Sequence, residues 1–565
     1  MKSRTDQLQH IKANDIDVLV IGGGINGAVS AAVLSAAGIR TALVEARDFA
    51  GFTSQNSSNL IWGGIKYLES FEFGLVRKLC RGRNRLLKAY PTSIVETRFI
   101  AAVGTRATHS RLAIWAGAWV YWLLGAGFTA IPRLLSRSRC AKEEPVSAIP
   151  ELLGGVEYSD GVLREGDARF VLGFIKRAIR CGCAAVNYTS VTSMKERVGR
   201  GWEVVLRDEQ SGDSLTITPK AVINAAGPFV DRLNHQSGVE TTHHHRFSKG
   251  IHLIVDRLTP SRRVLSFFAR DGRPFFVIPI GNRTSIGTTD TLSRSPEAVV
   301  AEEDRQFVLD HINTHLNLKR ALTRADIIAE RCGVRPLAVV HQDQTDTTPF
   351  LELSRRHAIE TDPERQIVSI FGGKLTDCLS VGDEILREAA KLGFKGHPGD
   401  WFGEPPLASR ESFCVQGEEL LQDCEAGIDL QRLWRAYGEG AIEILGRFAR
   451  DRHQMELLLP GSDLTRGELE WVRENEMVVT LDDFLRRRSL LAMTFRAAEL
   501  ASMPGLKVVS RILFGASGDA CYNRWCEGAG LTPRQVEADD SGDRQQQKKS
   551  QCKPIAHPSQ GSPGG

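Results

Sequence analysis

Three basic residues lie in settings that aim a side chain in one direction. Arg335 follows a strand-like run and precedes a proline in GVRPL, Arg355 stands near the beginning of another strand-like run, and Lys374 follows a glycine pair in FGGKLT. Guanidinium groups suit a phosphoryl group, because each offers paired N–H donors and a constant charge. Any one of these cations, taken alone, is better explained as a solvated surface charge.

His252 is the candidate acid–base residue. An imidazole of ordinary pKa titrates near working pH and can take the proton of an alcohol. A core or surface histidine without a chemical role explains the residue equally well. The neighbouring residues His243, His244 and His245 are adjacent in the chain, so their side chains splay apart, and we expect no metal site there.

The element best able to position such chemistry lies near the N-terminus. Residues 18–21 form a short apolar run typical of a buried parallel strand, and Gly22, Gly24 and Gly27 follow in the pattern G-x-G-x-x-G before an alanine-rich helical stretch. A second strand ends on Glu45, which can accept hydrogen bonds from a ribose. This order predicts a dinucleotide site on a helix N-terminus. A βαβ unit without a nucleotide is the alternative.

The position of the motif favours FAD over NAD. The motif opens the chain, and further glycine-marked strands follow much later, which suits a large ligand contacted by several separate segments. Candidate segments are residues 51–69, with serines and paired glycines, the strand end at Ala226 and Gly227, and the turn at Gly372 and Gly373. Without the preceding motif, each of these would fit an ordinary polar loop or strand–turn junction.

Length and composition set the broad class. The 565 residues suffice for two or three domains, and 72 Lys and Arg against 68 Asp and Glu leave a net charge of +4, too small to imply nucleic acid. Eleven cysteines lack paired metal spacing, and their odd number suggests reduced thiols in the cytosol. The polar N-terminal residues predict no signal peptide.

Several segments together carry a family resemblance. GGGING is followed by S-S-x-L-I-x-G-G-x-x-Y-L-E, and later by K-G-x-H, IGTTD, GVRPL and FGGKLT, in the same order over about residues 15–390. The sequence resembles the FAD-dependent glycerol-3-phosphate dehydrogenases of the aerobic, quinone-linked type. The C-terminal third resembles the same family more weakly.

The resemblance implies an α/β fold, in which a Rossmann-like FAD-binding domain carries an antiparallel-sheet substrate cap and an α-helical C-terminal domain. It implies oxidation of sn-glycerol 3-phosphate to dihydroxyacetone phosphate by hydride transfer to flavin N5. Electrons would pass to membrane quinone, or to oxygen as in the family's oxidases. The implied location is the cytoplasmic face of the inner membrane, as a peripheral protein, with homodimer contacts as one option.

The resemblance also implies site residues. Arg335 would help to stabilise the developing alkoxide and the charge of the reduced flavin. The catalytic candidates are His252, Arg335 and Lys374. The substrate-binding candidates are Lys66, Tyr67, Thr289, Arg335, Arg355 and Lys374. The candidate FAD contacts are Gly22, Gly24, Asn26, Gly27, Glu45, Thr53, Ser54, Ser57, Ser58, Gly63, Gly64, Ala226, Gly227, Gly372, Gly373, Leu375 and Thr376.

Three positions depart from the family pattern within one loop. Asn59 stands where a lysine is expected, Trp62 where a histidine is expected, and Lys66 where an arginine is expected. Lys66 keeps the charge but not the planar fork, and Trp62 cannot act as an acid or base. These changes support a rival reading, in which the same scaffold oxidises another hydroxy or amino substrate. A second rival is a flavoprotein scaffold that has lost catalysis.

An apolar run at residues 112–131 contains no charged side chain and is flanked by arginines. At about 1.5 Å per residue it could span about 30 Å of hydrocarbon. Its glycines and alanines reduce its hydrophobicity, and Trp115, Trp119 and Trp122 share one helical face, as expected at the headgroup level. We predict an interfacial helix on the membrane, with an internal core helix as the alternative.

The pattern of segments predicts a division of the chain. A polar lead (1–14) precedes an FAD-binding domain (15–235) with a membrane-associated insertion at about 106–140. A substrate cap (236–330), a return to the FAD-binding domain (331–395), a helical C-terminal domain (405–530) for packing or dimer contacts and a disordered tail (537–565) follow.

Overall fold

The computed structural model describes residues 3–105, 107, 109–268, 274–340, 356–422 and 427–531. Arg355 and the predicted C-terminal tail lie outside the described residues. The helices are α1 Arg4–Ala13, α2 Ile25–Ala36, α3 Phe73–Ala89, α4 Arg111–Leu124, α5 Arg137–Glu143, α6 Asp167–Arg180, α7 Val230–Gln236, α8 Glu302–His315, α9 Cys378–Lys391, α10 Leu407–Leu421, α11 Leu430–Tyr437, α12 Gly440–Arg450, α13 Arg466–Asn475, α14 Leu491–Thr494, α15 Ala497–Ser502, α16 Pro504–Phe514 and α17 Gly518–Gly528. The strands are β1 Val18–Ile21, β2 Thr41–Val44, β3 Leu60–Ile61, β4 Ile94–Gly104, β5 Arg133–Ser136, β6 Leu152–Leu163, β7 Ala184–Val186, β8 Thr189–Glu196, β9 Trp202–Asp208, β10 Ser214–Ile217, β11 Ala221–Asn224, β12 His243–Asp256, β13 Val264–Phe268, β14 Pro274–Ile280, β15 Arg283–Gly287, β16 Thr291–Ser293, β17 Ala329–Val340, β18 Ala358–Asp362 and β19 Ile367–Phe371.

A mostly parallel sheet forms the predicted nucleotide-binding domain. Its strands lie in the order β18-β19-β11-β1-β2-β7, and β18 alone in this sheet runs antiparallel to its neighbour within the described residues. All four residues of β1, β2 and β11 are buried, as expected for strands covered on both faces. Helices α2, α6 and α9 pack on one face, and the small antiparallel sheet β10-β9-β8 packs on the other. The Rossmann-like prediction is confirmed.

A second sheet, almost wholly antiparallel, covers the nucleotide-binding domain. Its strands run in the order β16-β12-β15-β14-β13-β4-β6-β3, with β17 paired to β12 and β5 to β6. Alternate residues of β12, including Ile251 and Leu253, face an apolar core shared with α8. The sheet takes strands from before residue 236 and after residue 330, and the domain limits given above stay a prediction.

Two strands that follow closely in the chain belong to different sheets. Strand β10 ends at Ile217 and β11 begins at Ala221. Pro219 lies in the gap, and a proline has no N–H to continue a strand ladder. The chain therefore changes sheets at this proline.

The C-terminal region is helical, as predicted. Helices α10 to α17 enclose their own apolar core, which includes Trp434, Phe448 and Leu469. Its contact with α6 is charged: Glu476 accepts hydrogen bonds from both terminal nitrogens of Arg169, at 2.8 and 3.1 Å. This domain therefore has a core of its own and an ionic contact with the FAD-binding domain.

The apolar run 112–131 forms a shorter helix than its length suggests. Helix α4 ends at Leu124, because Ala126 and Gly127 adopt positive φ and turn the chain. Ala118 and Tyr121 are buried, whereas Leu112 and Leu123 are 61% and 65% exposed. Among the described residues, no helix is both long and apolar enough to cross a membrane.

Candidate active site

The glycines of the N-terminal motif are required by close packing. A Cβ at Gly27 would overlap the carbonyl oxygen of Gly22, and a Cβ at Gly22 would overlap that of Ala225. Gly22 also has a φ of 108°, which favours glycine. Any larger residue would push α2 away from β1 and β11. The turn is therefore built for close approach of backbone to a ligand.

Glu45 lies where the ribose of a dinucleotide is expected. Its Oε2 accepts a hydrogen bond from Gly23 N at 2.6 Å, and its Oε1 accepts one from Arg47 N at 2.9 Å. Burial raises the pKa of Glu45, although the two backbone donors act in the opposite direction. The carboxylate is thus held rigidly at the end of β2, with lone pairs left for hydroxyl donors.

The loop 53–58 joins the two sheets. Ser54 Oγ accepts a hydrogen bond from Ile25 N at 3.0 Å, in the first turn of α2. Thr53 Oγ1 donates to Val334 O of β17 at 2.7 Å. Ser57 N donates to Asp167 Oδ2 at 2.8 Å. Ser54 and Thr53 therefore fix the loop between α2 and the second sheet, and Ser57 ties it to α6.

The turn at Gly372 and Gly373 packs against the same helix. Asn26 Nδ2 donates to Gly372 O at 2.9 Å, and a Cβ at Gly373 would lie 3.0 Å from Asn26 Oδ1. Leu375 and Thr376 then begin the turn into α9, and Thr376 Oγ1 donates to Trp62 O at 3.2 Å. The remaining predicted contacts keep backbone geometries typical of tight turns: Gly64 and Gly227 have positive φ, Gly63 N donates to Asp160 Oδ1, and Ala226 N donates to Asn224 Oδ1.

Arg335 lies on the face of the second sheet that is turned toward loop 53–58. It pairs with Ser248 across the strands, and its guanidinium lies over Gly250, where a Cβ would collide with it. Nη2 donates to Thr288 Oγ1 at 3.0 Å, and Nη1 donates to Ser248 Oγ at 3.3 Å. The side chain is held in place and is 28% exposed. It can therefore present its charge to a ligand.

His252 is buried on the same face of the sheet, two residues after Gly250 in β12. Among the described residues, neither of its ring nitrogens has a hydrogen-bond partner. Burial and the charges of Arg331 and Arg335 lower the pKa of His252 to about 3. The ordinary pKa expected from the sequence is therefore wrong, because two guanidinium groups flank a desolvated ring. His252 is a neutral imidazole at working pH, and its role as a base stays a prediction.

Lys374 and Tyr67, two of the substrate-binding candidates, lie in contact. Lys374 Nζ donates to Tyr67 Oη at 2.6 Å and lies 4.2 Å from the centre of the ring. Lys66 is half-buried in the same short turn. Thr289 is buried, and its Oγ1 accepts a hydrogen bond from Ile251 N at 3.0 Å, so it supports β12. Direct contact of Lys66 or Thr289 with substrate stays a prediction.

Two features test whether these residues suit FAD. The glycine turn leaves room only for backbone, so a pyrophosphate can approach it closely. In the part of the chain that the structure describes, the buried Oδ1 of Asn26 and both nitrogens of His252 lack partners, and a polar ligand would supply them. The site suits a flavin dinucleotide.

Comparison with known proteins identifies the family. Residues 17–362 match the FAD dependent oxidoreductases, and residues 419–512 match the C-terminal domain of alpha-glycerophosphate oxidase. The chain belongs to the FAD-dependent oxidoreductase family. Its cofactor is FAD.

The similarity extends to whole proteins. The aerobic glycerol-3-phosphate dehydrogenase of Bacillus subtilis strain 168 is 30% identical over 514 residues, which cover 86% of this chain and 89% of that protein. The corresponding enzyme of Staphylococcus aureus strain USA300 is 29% identical over 516 residues, 86% of this chain and 90% of that protein. The glycerol-3-phosphate dehydrogenase of Bacillus halodurans, solved with FAD, shares 25% identity and a TM-score of 0.68 over 97% of both chains.

Asn59 and Trp62, two residues of this FAD-dependent oxidoreductase that depart from the family pattern, are accommodated by different contacts. Asn59 has a φ of 59°, and its Oδ1 accepts a hydrogen bond from Asp167 N at 3.1 Å. Trp62 packs against Tyr67 and Phe276, with ring centroids 6.0 Å away in each case. The indole therefore adds an apolar wall beside the pair of Lys374 and Tyr67.

Sequence reasoning missed Arg331 and the buried ion pair of Asp160 with Arg83 in this oxidoreductase. Arg331 pairs with His252 across the strands and donates from Nη2 to Asp167 Oδ2 at 2.5 Å. The period-two alternation of β17 could have found it, since Arg331 and Arg335 share one face. Asp160, which receives the N–H of Gly63, is held by Arg83 at 2.8 Å, and both side chains are buried. No local signal marked that pair.

His245 is a further residue whose role was missed. It is buried in β12, and its Nε2 accepts a hydrogen bond from Gly372 N at 3.2 Å. Its Nδ1 lies 3.0 Å from Asp231 Oδ2, which fixes the ring. This histidine therefore supports the glycine turn on the FAD side of the oxidoreductase.

Proposed function

We propose that the protein oxidises sn-glycerol 3-phosphate to dihydroxyacetone phosphate and passes the electrons to membrane quinone. The observation that carries the proposal is Arg335, fixed by several hydrogen bonds over Gly250 on the sheet face that also holds His252. The names of the curated relatives and of the structural neighbour support the substrate. A guanidinium in a half-buried site is a strong ligand for a phosphoryl group.

The residues divide the work of oxidising a secondary alcohol. Bound FAD supplies the acceptor for the hydride. Arg335 and Lys374 bind the anionic substrate and turn its carbinol carbon toward the cofactor, which lowers the entropic part of the barrier. Burial and two nearby arginines lower the pKa of His252 in the unliganded site; the anionic substrate offsets those charges, raises this pKa and lets His252 accept the hydroxyl proton. The partly buried setting of Arg335 and Lys374 strengthens their electrostatic interactions with the substrate.

We further propose that the protein attaches to the cytoplasmic face of the inner membrane as a peripheral protein. Large apolar side chains in and near α4 support this location: Phe71, Leu112, Leu123 and Ile131 are between 55% and 77% exposed. Large apolar side chains exposed in one region of the chain are typical of interaction surfaces. Flotation with liposomes tests the attachment, and replacement of both Leu112 and Leu123 by serine should weaken it.

The test of function is anaerobic reduction of the flavin. Purified yellow protein is mixed with sn-glycerol 3-phosphate, and the flavin absorbance is followed. Rapid bleaching would support the proposed substrate and hydride transfer together. Bleaching only with another alcohol or an amine would instead favour the rival scaffold with a changed substrate, in which Trp62 reshapes the site.

If no compound in a broad panel of substrates reduced the flavin, the result would contradict both the proposed function and the rival with a changed substrate. The retained cations Arg335 and Lys374 argue against this outcome, because a cluster of partly buried charge without a use is costly to keep. A second assay then follows the acceptor, by comparing reoxidation by a soluble quinone with reoxidation by oxygen.

A further inference from the structure

The turn Asp483–Arg488 of the C-terminal domain presents consecutive arginines to the FAD-binding domain. Arg486 donates from Nε to Gln55 Oε1 at 3.2 Å and from Nη2 to Asn56 Oδ1 at 2.9 Å. Arg487 donates from Nη1 to the same Gln55 oxygen at 2.9 Å. Two arginines of the helical domain therefore hold two successive side chains of loop 53–58.

The same turn also binds the loop that follows β2. Asp48 Oδ2 accepts hydrogen bonds from Arg487 Nε at 2.7 Å and from Arg488 Nη1 at 2.8 Å, and Oδ1 accepts one from Arg488 Nη2 at 2.7 Å. Asp48 is buried and lies three residues after Glu45. Burial opposes its ionisation, but the two guanidinium groups outweigh burial and lower the pKa of Asp48. The contact is therefore ionic.

On its other side, loop 53–58 packs directly on β17, the strand that carries Arg335. A Cβ at Gly333 of β17 would lie 2.8 Å from Asn56 Cβ, so loop and strand are in close contact. Gln55 O accepts a hydrogen bond from Arg331 Nη2 at 2.5 Å. Arg331 in turn flanks His252. The residues that Arg486 and Arg487 hold are thus the ones that back the active-site face of the sheet.

We propose that Arg486 and Arg487 are positioning residues that fix loop 53–58 and thereby determine how tightly the protein retains FAD. The loop contacts α2 through Ser54, so a loop released from the arginines loosens the N-terminal turn of the nucleotide site. The C-terminal domain then has a role in cofactor binding, beyond packing or dimer contacts. Each hydrogen bond involved is charge-assisted, the stronger kind.

The test is the rate at which the holoenzyme releases FAD, measured from the fluorescence of free FAD without any substrate. Arg486→Gln should release FAD about tenfold faster, as expected for the loss of a charge-assisted contact. Arg486→Lys should recover part of the retention, because an ammonium keeps the charge but cannot donate to Gln55 and Asn56 as a planar fork does. Because no substrate is present, the result does not depend on which compound the enzyme oxidises.

The matched control is Arg435→Gln. Arg435 also joins the two domains, through an ion pair with Glu165 at 2.7 Å, but it does not contact loop 53–58. Its variant should keep the parent release rate. The unfolding midpoint of each variant is measured alongside, so that a general loss of stability is recognised.

A second variant tests the same contact from the loop side, in case Arg486→Gln folds poorly. Gln55→Met removes the acceptor from the loop side and should also speed release. The double variant should show less than the product of the two single effects, since both break one contact. Release at the parent rate in Arg486→Gln, equal acceleration in Arg435→Gln, or multiplicative effects in the double variant would each overturn the proposal.

Discussion

Replacing Gly250 with alanine tests whether the site depends on the position of Arg335. A Cβ at this position lies 2.5 Å from Arg335 Nη1 and closer still to Cζ and Nη2. Ordinary contacts between such atoms are about 3.5 Å or longer, so the guanidinium must retreat by about 1 Å. That movement breaks its 3.0 Å hydrogen bond to Thr288 Oγ1. The charge remains, but in the wrong place.

The expected loss is about 100-fold in kcat/KM for sn-glycerol 3-phosphate, the cost typical of a 1 Å displacement of a positioning group. The fold should survive, because alanine suits the extended backbone of β12 and the Arg335 side chain can shift toward its exposed side. Flavin content should therefore equal that of the parent. The rate of anaerobic flavin reduction against substrate concentration measures the effect.

Two comparisons sharpen this experiment. Gly74→Ala is the matched control, since a Cβ there meets no heavy atom within 4 Å. On an Arg335→Met background, Gly250→Ala should add almost nothing, because its effect acts through the arginine. A Gly250→Ala enzyme within about twofold of the parent, or one that adds its full effect to Arg335→Met, would refute the reasoning.

Three further predictions follow from buried groups. Burial lowers the pKa of His357, but the carboxylates of Asp377 and Glu384, 2.6 and 2.9 Å from its ring nitrogens, raise it overall to about 8. The resulting stabilisation of about 2 kcal/mol should be complete below pH 6.5 and lost by about pH 8, and urea unfolding of His357→Gln should lack this loss. Arg83→Met should cost about 3–5 kcal/mol in unfolding free energy by stranding a buried carboxylate, whereas Arg81→Met on the exposed face of α3 should change it by less than about 0.5 kcal/mol. Gly27→Ala should purify without flavin, measured from the absorbance ratio, and normal flavin content would contradict the packing argument.

The parts of the fold that local chemistry determines could be predicted from the sequence. Glycine positions, an alanine-rich helix and an acidic strand end define the FAD-binding unit within about thirty residues, so no distant information was needed. Arg335 and Lys374 could be named as candidates because each stands beside a proline or a glycine pair. The resemblance to a known family added the order of segments and the helical C-terminal domain.

Contacts between distant segments could not be predicted in the same way. Arg486 and Gln55 lie 431 residues apart in the chain, and neither stands in a distinctive motif. The pKa of His252 depends on Arg331 and Arg335, which only the pairing of β12 with β17 brings beside it. Electrostatics at a site is a property of its three-dimensional neighbours, so a side chain's ordinary pKa was the wrong starting point.

The same pairing explains how the loop tolerates asparagine where the family pattern has lysine. Asn59 and Arg331 both contact Asp167, one through its backbone N–H and the other through its carboxylate. A cation is therefore present beside this loop, but it comes from β17. The left-handed backbone at residue 59 also suits asparagine better than lysine. Asn59 thus places a neutral amide on the Asp167 backbone, and the cation beside the loop, Arg331, is itself paired with the Asp167 carboxylate.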